Sequence, residues 1–186
     1  MVAEETEREL VEACQRGETD AFRALFEAYK DRVYSVALRF SGQPAAAMDI
    51  AQDTFVKLFE CIHQFQWNAS FDTWVYRIVA NRCLDRRRSE RKWLPLAADF
   101  LARRRAPDDC LRDLLDREFK QHLQTSVDEL VPDLRIVIVL RYTEGLSYDE
   151  IAEVLRCSPG TVASRLHRAH KILERRLRKQ AGGRHV

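Results

Sequence analysis

The 186 residues contain little of what builds sheets, disulfide frameworks or nucleotide-binding loops. There are only six glycines, none in a phosphate-cradling pattern, and no HExxH or Ser/His/Asp arrangement is recognisable, so catalysis by this chain is not expected. Five cysteines are widely scattered with no CxxC pair, which excludes a zinc finger or a disulfide framework and predicts free thiols. His167 and His170 stand one turn apart but lack carboxylate or thiolate companions at matching spacing, so neither a metal nor any other cofactor is expected. The longest uninterrupted aliphatic run, residues 136–140, is far too short to cross a membrane, and no membrane insertion is expected. The start, MVAEETERELVEA, is acidic and has no apolar stretch, which predicts no secretory leader and a cytoplasmic location.

Residues 145–168, GLSYDEIAEVLRCSPGTVASRLHR, are the most informative part of the chain. Ser147 is placed to cap a helix, with Glu150 three residues on to complete a capping box. Ser158 is placed to cap a second helix, with Pro159 at its first position, where a missing N–H costs nothing. The turn between them is so short that the helices must cross, the plan of a DNA-binding helix-turn-helix. Along the second helix Val162, Leu166, Ala169, Leu173 and Leu177 recur on a face for the core. Ser164, Arg168, Lys171 and Arg175 recur on another face, suited to a major groove. Charged outer faces are ordinary, but a merely solvated face mixes signs. Residues 156–186 carry nine Lys/Arg against the single acid Glu174, a net of +8.

The overall charge of +2 conceals a second basic patch. Residues 82–92, RCLDRRRSERK, hold six bases and two acids, which leaves the rest of the chain strongly acidic. Two basic patches on an acidic protein predict two nucleic-acid contacts and acidic surface for protein partners. Periodicity predicts an all-α fold of two small helical domains, residues 1–92 and 117–186, joined by a flexible linker at 93–116. Helices are expected over 10–16, 21–40, 46–65 and 71–92. Four more are expected in the second domain, ending in the helix-turn-helix. The linker contains Pro95, Pro107 and an arginine run, with room for a short helix near 96–103.

Phe22, Phe26, Phe55 and Phe59 suit core packing. Trp67, Phe71, Trp74 and Tyr76, leading into the arginine cluster, interleave rings with bases as single-stranded DNA binding requires, although Trp74 and Tyr76 suit burial equally.

Four motifs in order carry a family likeness: DIAQDTF at 49–55, FDTWVYRIVAN at 71–81, GLSYDEIA at 145–152 and GTV at 160–162. Together the chain resembles bacterial RNA polymerase sigma factors of the extracytoplasmic-function (group IV) type. The resemblance implies a non-catalytic polymerase subunit whose first domain grips and opens the −10 element and whose second reads the −35 element. It implies core RNA polymerase, through its clamp and flap, as a partner, together with promoter DNA and an anti-sigma factor. Asp49, Gln52 and Asp53 match positions that bind the polymerase clamp. Asn81 matches the position that reads a flipped-out −10 base, a task an amide suits because it both donates and accepts. Gln66, Asn68 and Ala69 would wall that pocket, and Arg82, Arg86 and Arg87 would hold phosphates. Ser164, His167 and Arg168 match −35 contacts, with Arg165 and Lys171 beside them. Ala163 stands where relatives carry Arg or Lys, Pro159 where Val is usual, and Gln66-Trp67 where Arg-Gly is common. With the two elements about two and a half turns apart, roughly 85 Å, the linker reaches at most about 80 Å, so the free chain is expected to bind promoter duplex weakly.

Two rival readings compete. A helix-turn-helix repressor or activator with an unrelated sensor domain would explain the second half but not the aromatic loop and arginines before residue 92. An enzyme would need a site that the residues do not offer.

Overall fold

The computed structural model describes residues 2–93 and 121–182, and side chains over 6–88 and 121–178. All regular structure in these residues is helical. The linker beyond residue 93, including the short helix expected near 96–103, lies outside the described residues.

The first unit is built from α1 (Val2–Gln15), α2 (Thr19–Ser41), α3 (Pro44–Cys61), a 3₁₀ turn (Ile62–Gln64) and α4 (Phe71–Trp93). Its core holds Leu25, Val33, Val36, Phe40, Ile50, Leu58, Phe71, Val75 and Val79, each at most 2% exposed. The helix expected to run to residue 65 stops earlier. Gln15 donates from Nε2 to the Ile62 and Phe65 carbonyls at 3.1 and 2.9 Å, giving the chain a long-range partner for groups that a continuing helix would have used. Ser70 then caps α4, its hydroxyl accepting from the Thr73 N–H at 3.1 Å.

The second unit comprises helical residues 121–128 (α5), α6 (Pro132–Tyr142), α7 (Tyr148–Leu155) and α8 (Pro159–Gly182). The Ser147–Glu150 capping box is present in both directions, and Ser158 accepts from the Thr161 N–H at 3.1 Å. α6 stops at Tyr142, and Gly145 takes the left-handed conformation (φ +72°) in the turn that follows. Val162, Leu166, Ala169 and Leu173 pack inward from α8 as the periodicity predicts.

Arg156 ends α7 in the left-handed conformation (φ 50°), its N–H reaching the Glu153 carbonyl while the Cys157 N–H reaches that of Ala152. This pair of hydrogen bonds is the glycine-type C-terminal closure, here carried by a residue with a Cβ. Arg156→Gly is therefore expected to stabilise the protein by about 0.5–1 kcal/mol, raising Tm by about 1–4 °C. It would also relieve the repulsion between Arg156 and Arg77, which acts in the same direction. A thermal melt showing a lower Tm would contradict this.

The two units touch. Arg135 of α6, 2% exposed, donates to the Phe40 carbonyl at 2.6 Å, and Arg77 of α4 donates to the Glu153 carbonyl of α7 at 3.1 Å.

Candidate nucleic-acid interface

On α4, Asn81 is exposed, while Arg82 and Arg87 are half-buried beside it. Arg86 is engaged, donating to Asp49 of α3 at 3.1 Å, so the arginine set and the acidic set meet along one edge of the unit. The loop before α4 exposes Gln66 and Asn68 and half-buries Ala69. The aromatics divide in a way the sequence did not resolve. Phe71 and Tyr76 are buried, at 0% and 3% exposure, and cannot stack on a base. Phe65, Trp67, Phe71 and Trp74 form one ring cluster, with centroids 4.9–5.6 Å apart. Its outer members, Trp67 and Trp74, are the half-buried ones. Trp67 adopts a left-handed backbone (φ 55°), a conformation that glycine enters without a Cβ penalty. Its ring compensates by packing on Phe65 and lying under the Arg8 guanidinium at 5.4 Å.

Beneath this surface lies a polar hub that the periodicity did not reveal. Arg32 of α2 forks onto both oxygens of Asp72 at 2.9 and 2.8 Å and donates from Nε to the Tyr76 hydroxyl at 2.9 Å. The Tyr29 hydroxyl stands 2.7 Å from Asp72 and 2.8 Å from Glu7. Burial alone would raise the Asp72 carboxyl, but the Arg32 fork and the Tyr29 hydroxyl outweigh it and hold the group below its ordinary 3.8. An acid with a depressed folded pKa stabilises above its unfolded value, and that contribution disappears as pH falls through the folded one. Stability measured by urea unfolding from about pH 5 to about pH 3 is thus expected to fall less steeply in Asp72→Asn than in wild type. Parallel acid limbs would remove Asp72 from the titration.

α3 turns Asp49, Gln52 and Asp53 outward together. Two aromatics beside them depart from expectation: Phe59 of α3 is 63% exposed and Phe26 of α2 38%, so they are not core residues. With Met48 and Val56, also exposed, they line an apolar groove of about 910 Å³ between α2 and α3. The reason is geometric: α3 is apolar on more of its circumference than α2 and α4 together cover. Phe55 and Leu58 take the buried side, leaving Met48, Val56 and Phe59 outside. That excess breadth was legible in the sequence as apolar residues falling among the polar ones.

α8 presents Ser164, His167, Arg168, Lys171 and Arg175 to solvent. Arg165 is turned aside toward α6, 3.8 Å from Asp133. His170 meets the exposed Tyr142 hydroxyl at 2.8 Å. Among the described residues no cluster of three His, Cys, Asp or Glu could hold a metal, and no helix is long and apolar enough to cross a membrane.

A helix-turn-helix with an outward basic face, on the same chain as a helical unit with its own arginine-lined helix and an exposed acidic and apolar face, has the make-up of a DNA-binding protein. Residues 25–93 match sigma-70 region 2, and residues 120–173 match sigma-70 region 4. The chain is 32% identical to the RNA polymerase sigma-H factor of Pseudomonas aeruginosa, the alignment covering 95% of this chain and 96% of that one. It is also 32% identical to the ECF RNA polymerase sigma factor SigW of Bacillus subtilis, over 90% and 95% of the two chains. Among solved structures it resembles CnrH in complex with the cytosolic domain of CnrY, with a TM-score of 0.68, 26% identity and 92% and 97% coverage. The fold is shared with the sigma factor RpoE of Bartonella quintana, solved with the anti-sigma factor NepR, at a TM-score of 0.65, 24% identity and 84% and 96% coverage. The chain belongs to the sigma-70 family, as an alternative sigma factor of the ECF type that binds core RNA polymerase and directs promoter-specific transcription initiation.

Proposed function

We propose that the labour divides as follows: residues 1–92 open and read the −10 element, residues 93–116 tether, and residues 117–186 read the −35 element. Asn81 takes a flipped-out base, Gln66, Asn68 and Ala69 wall its pocket, and Arg82, Arg86 and Arg87 hold phosphates. Ser164, His167, Arg168 and Lys171 meet the −35 duplex, and Arg165 joins them by leaving Asp133. Asp49, Gln52 and Asp53, beside the apolar groove, dock the polymerase clamp, while the second unit meets the flap. The whole acts in the cytoplasm, without catalysis of its own. CnrH is solved in complex with the cytosolic domain of CnrY, and likeness to it supports a protein partner here, which we take to be an anti-sigma factor.

The observation that carries this reading is the outward, predominantly basic face of α8 on the same chain as Asn81, which is exposed on an arginine-lined helix. The test is transcription by bacterial core polymerase on fragmented genomic DNA, with sequenced transcripts. Discrete new starts sharing two spaced elements are expected. Asn81→Ala should reduce discrimination at one −10 position by about 5- to 150-fold (1–3 kcal/mol) with polymerase binding intact. Arg168→Ala should weaken only promoters with a −35 element. Absence of permanganate-reactive DNA at any start site would favour the repressor reading.

A further inference from the structure

The loop between the 3₁₀ turn and α4 is aimed from α1. Arg8, Glu12 and Gln15 stand at helical spacing and share one face of α1. Val11 and Cys14 beside them are 0% and 6% exposed and seat the helix in the core. The end of α1 is closed, the Gly17 N–H on the Cys14 carbonyl and the Glu18 N–H on that of Ala13, so Gln15 projects from a fixed point. Its carboxamide has two N–H donors, and it spends them on one segment, the Ile62 carbonyl at 3.1 Å and the Phe65 carbonyl at 2.9 Å. The Ile62 carbonyl also accepts from the Phe65 N–H at 3.1 Å, so Gln15 clasps both ends of the turn that opens the loop. Two helical turns away on the same face, Arg8 is steadied by Glu12 at 3.0 Å and lies over the Trp67 ring. Trp67 needs such support, because a left-handed residue with a Cβ persists only where its surroundings hold it. Gln66 and Asn68 flank it, so the Trp67 backbone sets the directions in which these exposed side chains leave the loop.

We propose that Gln15 is a positioning residue for base reading in the −10 element: through the Ile62 and Phe65 carbonyls, and with Arg8 on Trp67 as a second brace, α1 holds the loop in the form that walls the flipped base. The role in reading rests on Asn81 and residues 66–69 forming that pocket; the brace itself does not. Gln15 and Arg8 both precede the stretch that matches sigma-70 region 2, so discrimination at this base draws on chain outside it. Neither residue touches the base. A loop that keeps its walled form for only a fraction of the time loses apparent affinity for the preferred base by that fraction.

Gln15→Met keeps the length of the side chain and removes both donors, and it is tested in the full chain. Hydrogen exchange read by mass spectrometry is expected to be about tenfold faster over residues 62–70, with residues 25–58 unchanged. Transcription with core polymerase on templates varied one base at a time is the second readout. Discrimination is expected to fall about tenfold at one −10 position, the one that Asn81→Ala also affects, if the loop is walled one-tenth of the time. Preference at the −35 element and affinity for core polymerase should stay as in wild type. Arg8→Ala, a change at an exposed side chain, is expected to lose about two- to fivefold at the same position. Unchanged exchange over 62–70 in Gln15→Met would overturn the brace. Faster exchange with discrimination intact, or an equal loss at every promoter position, would overturn the positioning role and leave Gln15 structural. Should Gln15→Met fail to fold, Arg8→Ala decides, and unaltered discrimination in it overturns the proposal. If Asn81→Ala also leaves every −10 position unaffected, the pocket reading itself falls, while the exchange result still decides whether Gln15 holds the loop.

Discussion

Replacing Phe59 by aspartate is expected to weaken binding to core RNA polymerase by about 10- to 100-fold while leaving the fold intact. Phe59 is 63% exposed and rests edge-on against Phe22, with ring centroids 4.9 Å apart, so it contributes little to the core. α3 is held instead by Phe55, Leu58 and Ile50, each 8% exposed or less. An aromatic standing in an apolar groove, with Asp49, Gln52 and Asp53 exposed on the same helix, has the composition of an interface anchor rimmed by charge. Burying such a side chain in a partner contributes about 1.5–3 kcal/mol, and each 1.4 kcal/mol is tenfold in affinity. A fluorescence titration of labelled protein with core polymerase measures it directly. Unchanged affinity would move the docking surface away from α3, whereas a cooperative melt displaced from wild type would show that Phe59 is structural.

Leu166→Ala is expected to cost about 2–5 kcal/mol, a large share of the stability of the second unit. Leu166 is 1% exposed and lies at the centre of the stripe formed by Val162, Ala169 and Leu173, where α8 packs on α6 and α7. A unit this small has little surplus burial, so the loss should appear as a separate early transition in urea with α1–α4 still folded. Arg168→Ala on the opposite face is the matched control. It should change stability by no more than about 0.5 kcal/mol while reducing −35-dependent transcription. If Arg168→Ala proved the more destabilising of the two, the assignment of inner and outer faces on α8 would be reversed.

The second of these predictions could have been written from the sequence, and the first could not. The helix-turn-helix is a local object. Ser147, Glu150, Ser158 and Pro159 act on backbone groups within four residues of themselves, so their pattern survives without knowledge of anything else. The inward stripe of α8 repeats at helical spacing over three turns, which leaves only one face for the core. α3 is different. Its apolar residues cover too much of the helix to say which side a neighbour will take, so Phe59, like Phe26 of α2, is expected inside from the sequence. Trp67 and Arg156 hold left-handed conformations that a residue with a Cβ does not advertise. The end of α3 depends on Gln15, some fifty residues away, and the Asp72 hub assembles side chains from three helices.

The amino-acid sequence by itself determined that this protein is helical, that it ends in a DNA-type helix-turn-helix, and that its bases gather in two patches. Those properties follow from capping chemistry, periodicity and charge, which act over a few residues. Only the tertiary structure decided which of two apolar faces on α3 stays open. It also decided that Arg32, Asp72, Tyr29 and Tyr76 share one hub, and that Arg135 and Tyr76 fasten one unit to the other. Each of these is a choice between partners distant in the chain, made by packing and by the need of buried polar groups for hydrogen bonds, and no local pattern encodes it.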